Sequence, residues 1–299
     1  MKNNNNLAYI LLFLTTLFWS GNFIVGKAAS IYEIPPFSLN FYRWLFAWLI
    51  LLPFTYKEIL KKKDYILNNL GLFIILGVTS ITIFNSIVYY SLNFTQVISG
   101  VLMISTIPVM IIFISSLLKI EKTNFFQLIG VVFSMVGVIV IVTQLNPEKI
   151  KELNFNKGDL SIIVAMLSWA LYSALLKRKK LDLSQISLLQ VIISAGLVFL
   201  LPVYLIEMSL GRRVALELPF FLTLSYVVLF PGLASFICWI KGIAIIGANR
   251  SGIFLHLMPI FSTILAIIIF KEKFMIYHLI GAILIITGIL LSSKKKVNG

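Results

Sequence analysis

Apolar runs of roughly twenty residues, broken by short polar punctuation, recur along the whole chain. A hydrocarbon core about 30 Å thick is crossed by about 20 residues of helix. The runs predict ten such helices, at 7–28, 36–56, 70–92, 96–118, 125–143, 159–177, 184–206, 220–244, 250–270 and 275–293. The gaps hold the Pro, Asn, Lys and Glu that start or stop helices. Strict alternation of apolar and polar positions is absent, which argues against a membrane β-barrel. The first run is too long for the apolar part of a cleavable leader and has no small-x-small site after it, so it reads as a retained helix. The expected fold is all-α and integral to a membrane.

Composition excludes the main alternatives. Of 299 residues, 60% are hydrophobic and 12% charged, with a mean hydropathy of +1.01. A soluble domain is about 45–50% apolar and about 25% charged, so a soluble globular enzyme does not fit. Disordered chains are poor in apolar residues and do not fit either. The net charge of +14 would suggest nucleic acid in a soluble chain. In a membrane chain it reads as topology, because Lys and Arg concentrate in cytoplasmic loops. With the N-terminus inside, 16 of the 25 basic residues fall on the cytoplasmic side and 7 on the outer side. Setting aside Lys241 and Arg250, whose side depends on where the eighth helix ends, leaves 14 against 7. Both termini are therefore expected in the cytoplasm, with the chain in the cell (inner) membrane. One cysteine, Cys238, and two histidines leave no basis for a disulfide or a Cys/His metal cage. No cofactor is expected.

The two halves resemble each other. Pro108, Glu121, Lys122, Leu128, Ile129, Gly130 and Gly137 match Pro259, Glu272, Lys273, Leu279, Ile280, Gly281 and Gly288, each pair 151 residues apart. Trp19 and Lys27 match Trp169 and Lys177 at a spacing of 150. The expected organisation is a first repeat over 1–145, a linker loop over 146–158 and a second repeat over 159–299. Each repeat has five helices, and five is odd, so the second must start from the opposite side of the membrane. Inverted repeats recur in secondary transporters, with the substrate site near the midplane where the repeats meet. Two similar halves in opposite orientation can exchange mirrored arrangements and open the site to either side in turn.

The residues also resemble a known family. Trp19-Ser20-Gly21-Asn22-Phe23 followed by Lys27, and then Arg43, resemble the opening signature of the EamA type of the drug/metabolite transporter superfamily. The stretch from Tyr89 through Pro108 to Glu121 and Gly130, repeated from Trp239 through Pro259 to Glu272 and Gly281, does the same. The resemblance implies a ten-helix transporter of two five-helix inverted repeats, often exporting amino acids or related metabolites. The second half departs from the first: it has no counterpart of Arg43, and Tyr172 stands where Asn22 does. The halves thus differ at positions that could touch substrate.

Polar residues inside a bilayer are costly and point to sites. Thr15, Trp19, Asn22 and Gly26 share one face of the first helix, and Ser161, Ala165, Trp169 and Tyr172 the related face of the sixth. Asn85 and Tyr89 lie one turn apart on the third, able to meet a substrate carboxylate or amine. Trp239 ends a candidate wall on the eighth. His256 shares a face with Ser251, Pro259 and Thr263 on the ninth, where an imidazole can bind substrate or titrate. Pro108, near Ser99, Met103 and Thr106, and Pro259 are expected to bend their helices and free backbone carbonyls. For each of these the alternative is polar packing between helices. Arg43 can snorkel, pair with Glu33 or face the cavity, and a structural role is favoured. Glu121 and Glu272 read as loop residues. Gly130, Ser134, Gly137, Gly281 and Gly288 read as small-residue packing faces.

All 11 acidic residues fall in loops or near helix ends, so coupling through an intramembrane carboxylate is not expected. The expected function is a secondary transporter that exports or exchanges small metabolites, amino acids or related amphipathic compounds, by alternating access. A carrier of phosphorylated metabolites or nucleotide sugars would need more fixed cations than Lys27, Arg43 and Lys241 supply. An enzyme would need a catalytic constellation that the sequence does not show, and a non-transporting scaffold leaves the repeat unexplained. The expected partners are the lipid bilayer and a small-molecule substrate, not nucleic acid. A homodimer remains an open alternative.

Overall fold

The computed structural model describes residues 2–91, 93–94, 103–146, 148, 157–178, 181–270 and 273–293. Ser99, Glu272, most of the expected linker (147 and 149–156), Lys179, Lys180, Lys271 and Lys294 to Lys296 lie outside the described residues, as does the side chain of Phe23. Among the described residues every regular element is helical. In chain order the helices are α1 (Lys2–Ile31), α2 (Pro36–Lys61), α3 (Lys63–Asn68), α4 (Leu70–Gly77), α5 (Asn85–Ser91), α6 (Ile107–Leu117), α7 (Phe125–Thr143), α8 (Lys157–Arg178), α9 (Gln185–Ser209), α10 (Leu218–Val227), α11 (Ser235–Ile246), α12 (Ala248–Gly252), α13 (Leu257–Phe270) and α14 (Ile276–Ser293). Eight helical stretches are long and apolar enough to cross a membrane. Their outer faces carry large apolar side chains in the open, such as Phe54 at 77% and Val198 at 67% exposure. Apolar surface on that scale needs lipid against it. This is a multi-pass membrane protein.

Local chemistry sets the helix ends. Pro36 starts α2 at a position where a missing N–H costs nothing. Asn124 and Gln127 form a reciprocal cap on α7: the Gln127 amide donates to Asn124 Oδ1 at 2.8 Å, and the Asn124 amide to Gln127 Oε1 at 2.9 Å. Gln144, in the left-handed region, closes the other end.

The expected third and eighth spans are not uniform. A π-helical segment, Val78–Phe84, joins α4 to α5, and another, Val228–Ala234, joins α10 to α11. The second begins 150 residues after the first. Wider π turns detach backbone carbonyls from their usual partners, and side chains of other helices take them up. Asn40 Nδ2 donates to Ile81 O at 3.0 Å, and Trp19 Nε1 donates to Pro231 O at 3.1 Å. Apolar periodicity does not register a one-residue widening of the turn, so the sequence shows continuous helix there. The ninth span is likewise divided into α12, a 3-10 turn (Ile253–His256) and α13.

Two helix pairs are held by close contacts. α2 packs along α9, and each helix carries a glutamate that caps the start of the other. Glu207 accepts from the Ser38 amide at 2.6 Å and the Ser38 hydroxyl at 2.7 Å. Glu58 accepts from the Ser184 amide at 2.9 Å and from the Ser184 and Ser187 hydroxyls at 2.6 Å each. Carboxylates at helix N-termini satisfy orphan amides and complement the helix dipole. α7 and α14 cross at Gly130, Gly137, Gly281 and Gly288, where backbones touch.

Candidate functional site

The central cavity lies where α1, α2, α5, α6, α8, α11 and the 3-10 turn meet. Its wall is formed by Trp19, Asn22, Arg43, Phe84, Asn85, Val88, Ile104, Ile107, Trp169, Phe236, Leu255 and Met258, and its volume is about 30 Å³. That is room for one or two waters, against roughly 300–1,000 Å³ for a metabolite pocket. In this conformation the site is contracted, and a metabolite requires the helices to part.

One side of the wall is polar and centred on Arg43, which is 1% exposed. Arg43 Nη1 donates to Asn85 Oδ1 at 2.9 Å and to the Tyr89 hydroxyl at 2.7 Å. Tyr89 donates in turn to Asn22 Oδ1 at 2.9 Å. Asn85 Nδ2 donates to Ser80 O at 2.6 Å, which fixes that amide. The guanidinium also lies 4.8 Å from the Trp44 ring centre and 5.9 Å from that of Tyr89, within cation–π range. No described carboxylate is within ion-pair distance of Arg43; the Glu33 pairing weighed from sequence does not form. Buried face positions of α2 include Asn40, Arg43, Ala47 and Leu51. Their helical spacing was the available signal that Arg43 points inward.

The other side is aromatic. Trp169 is the hub, with ring centres at 4.5 Å to Phe84, 5.0 Å to Tyr172, 5.1 Å to Trp19, 5.3 Å to Phe236 and 5.8 Å to Trp239. Trp239 and Tyr172 are fully buried behind the wall, not on it. Tyr89 likewise stands behind it, as a link between Arg43 and Asn22. Phe84, Phe236 and Met258 reach the cavity without having been singled out from sequence. Nothing in apolar periodicity separates a cavity-lining Phe from a packing one.

The remaining candidates fall elsewhere. Pro108 is the second residue of α6, just after the turn at Ser105 and Thr106, and Pro259 is the third residue of α13, just after the 3-10 turn. Glu121, read from sequence as a loop residue, accepts from the Asn249 amide at 2.9 Å and so caps α12. His256 is fully buried away from the cavity. Its Nε2 lies 2.8 Å from Ser105 O and its Nδ1 2.6 Å from Ser134 Oγ. A carbonyl only accepts, so Nε2 carries the proton toward Ser105 O, and Nδ1 meets the Ser134 hydroxyl, whose single proton also faces Gly130 O at 2.8 Å. The imidazole thus ties the 3-10 turn to α7 and to the segment before α6. His256→Ala removes the link between Ser105 O and Ser134 Oγ and leaves a void in a buried site, and a loss of about 2–4 kcal/mol is expected. The purified variant should melt well below the parent while the KM for exchange stays unchanged. A shifted KM at normal stability would place His256 in substrate contact.

A model of the EamA-like transporter family matches residues 6–143 and 156–294. The chain belongs to the EamA-like transporter family. Its two matched segments divide the cavity between them, Asn22, Arg43 and Asn85 coming from the first and Trp169 and Phe236 from the second. The chain is similar to the uncharacterized transporter YyaM of Bacillus subtilis, 26% identical over 98% of this chain and 95% of that one. It is also similar to an uncharacterized transporter of Archaeoglobus fulgidus, 26% identical over 98% and 99%. A crystal structure at 16% identity superposes with a TM-score of 0.75 over 96% of both chains, which shows a shared fold. EamA membership makes this a membrane transporter.

Proposed function

We propose that this protein is a secondary transporter of the cell membrane that exports or exchanges small amphipathic metabolites, amino acids and their relatives among them, by alternating access. The observation that carries the reading is the cavity itself: contracted, and built jointly by the two matched halves, one wall polar and the other aromatic. Such a wall suits a molecule with one polar end and one apolar body.

The proposed architecture is ten membrane helices in two inverted sets of five, over 1–145 and 159–299, with both termini cytoplasmic. The eight long spans are completed by α6 and α13, each shortened by an irregular start. Three paired features support a two-fold relation between the halves. The π segments start 150 residues apart. Gly130 meets Gly288 and Gly137 meets Gly281, residues that exchange places under the 151-residue offset. Glu58 and Glu207 each cap the other's helix. Reciprocal contacts of this kind are what a two-fold axis generates. Laid in the membrane plane, that axis gives each half the opposite orientation.

Two measurements test the reading. Protein in liposomes should support counterflow of one class within a panel of amino acids, organic acids and amines; folded protein that exchanges none of them would remove it. For orientation, Cys238→Ser protein with Lys62→Cys or Arg213→Cys should react with an impermeant thiol reagent from opposite sides, Lys62→Cys from the cytoplasmic one. Labelling of both from one side would overturn the inverted arrangement.

A further inference from the structure

Arg43 does more to the cavity than contribute a charge, because it sets the polarity of everything hydrogen-bonded to it. A guanidinium has only donors. Asn85 Oδ1 and the Tyr89 oxygen must therefore accept from it. With its oxygen facing Arg43, Tyr89 turns its own proton to Asn22 Oδ1. Asn22 lines the cavity with its Oδ1 engaged by Tyr89, which leaves its NH2 group as a donor. Asn85 spends its NH2 on Ser80 O, and Trp19 spends its indole N–H on Pro231 O. Both amide oxygens on the wall already accept one hydrogen bond, and the charged group on that wall is a cation.

The charge on Arg43 has no counter-charge. Among the described residues it meets two neutral acceptors and two aromatic faces, with no carboxylate in ion-pair range. Its Nε, buried, has no hydrogen-bond partner. A buried cation without an anion is strongly disfavoured, and an anion arriving with the substrate relieves that. The same field opposes a second cation. An ammonium group would face the Arg43 charge with no carboxylate among the described residues lining the cavity to receive it.

We infer that the cavity selects a monoanionic organic acid, one carboxylate on an apolar or aromatic body, over zwitterionic amino acids and over amines. The carboxylate sits against Arg43 and Asn22 when the helices part, and the body lies on Trp19, Trp169 and Phe236. A single cation on the wall matches a single negative charge. The inference rests on the transporter reading for its biological meaning, but the charge selection can be measured by binding alone.

The test compares ligands that share a ring and differ in charge: 3-phenylpropionate, phenylalanine, 3-phenylpropionamide and phenethylamine, with indole-3-propionate and tryptophan as a second ring. Binding is read on protein in nanodiscs by thermal shift and by titration; exchange is read separately in liposomes. The carboxylates without ammonium should bind roughly tenfold or more tightly than their amino-acid counterparts, and the amide and amine should bind no better than the amino acids. Asn85→Asp keeps the size of the side chain and gives Arg43 an internal anion. It gains an ion pair with Arg43 and loses the bond to Ser80 O, so it should remain folded and monodisperse while losing roughly tenfold or more in carboxylate affinity. Arg43→Lys should keep the order of preference. Equal binding of phenylalanine or phenethylamine overturns the inference, as does an Asn85→Asp protein with undiminished carboxylate affinity or the absence of binding throughout the series. Carboxylate-selective binding without exchange removes the transport reading and leaves the selection standing. Exchange without charge preference does the reverse.

Discussion

Gly130→Leu is expected to abolish the folded protein or to lower its melting temperature sharply. At Gly130 a Cβ would collide with Gly288 O and come within 2.8 Å of the Ser292 amide nitrogen. At Gly137 it would lie 2.6 Å from Gly281 O, and at Gly288 2.7 Å from the Ser134 amide nitrogen. These obstacles are backbone atoms, which have no rotamer to escape into. The helices must separate along the whole crossing, and small-residue packing is what holds helices together where lipid is as apolar as the side chains. Overpacking a well-packed site costs about 1–3 kcal/mol; a leucine against backbone should reach or exceed the upper value. Gly71→Ala is the control, since a Cβ there meets nothing within 4 Å. Size-exclusion profile and melting temperature decide the matter. A Gly130→Leu protein that melts with the parent would mean that α7 and α14 do not cross this closely.

Trp169→Ala should cost nearly as much stability and all measurable exchange. The side chain is 1% exposed and touches the rings of Trp19, Phe84, Tyr172, Phe236 and Trp239. Truncating a buried Trp to Ala typically costs about 3–5 kcal/mol, and aromatic pairs add about 0.5–1.5 kcal/mol each beyond burial. Trp169→Phe separates the two roles. It keeps an aromatic hub, so the protein should remain folded and monodisperse, while exchange per folded molecule falls because the cavity wall changes shape. Unchanged exchange kinetics in Trp169→Phe would remove the aromatic wall from the site.

Much of the fold was legible before any coordinates. Apolar length marked the stretches that became long helices, and α7 ends where the sequence reading ended it, at Phe125 and Thr143. The 151-residue offset singled out the glycines that touch across α7 and α14. What periodicity could not show were irregular turns inside apolar runs. Val78–Phe84 and Val228–Ala234 differ from α-helix by hydrogen-bond register, not by composition. The candidate site was legible in part. Trp19, Asn22, Asn85 and Trp169 line the cavity, while Tyr89, Tyr172 and Trp239 stand behind it and His256 belongs to a different contact. A polar residue at mid-membrane depth must meet a partner, but sequence spacing does not say whether that partner is substrate or another helix.

The excess of apolar over charged residues, the helix lengths and the internal repeat are properties of the sequence alone, because they follow from what a bilayer demands of any segment crossing it. The identity of the cavity is different. It depends on which faces of distant helices converge, and that is decided by close crossings, mutual caps and π turns that no local pattern specifies. Arg43 shows the distinction. By its position in the chain it is one basic residue in the second span. In the folded bundle it stands buried, without a counter-ion among the described residues, and orients Asn85, Tyr89 and Asn22 around it. Charge is a property of the residue, but whether that charge is solvated, paired or left for a ligand is settled only by what the tertiary fold packs against it.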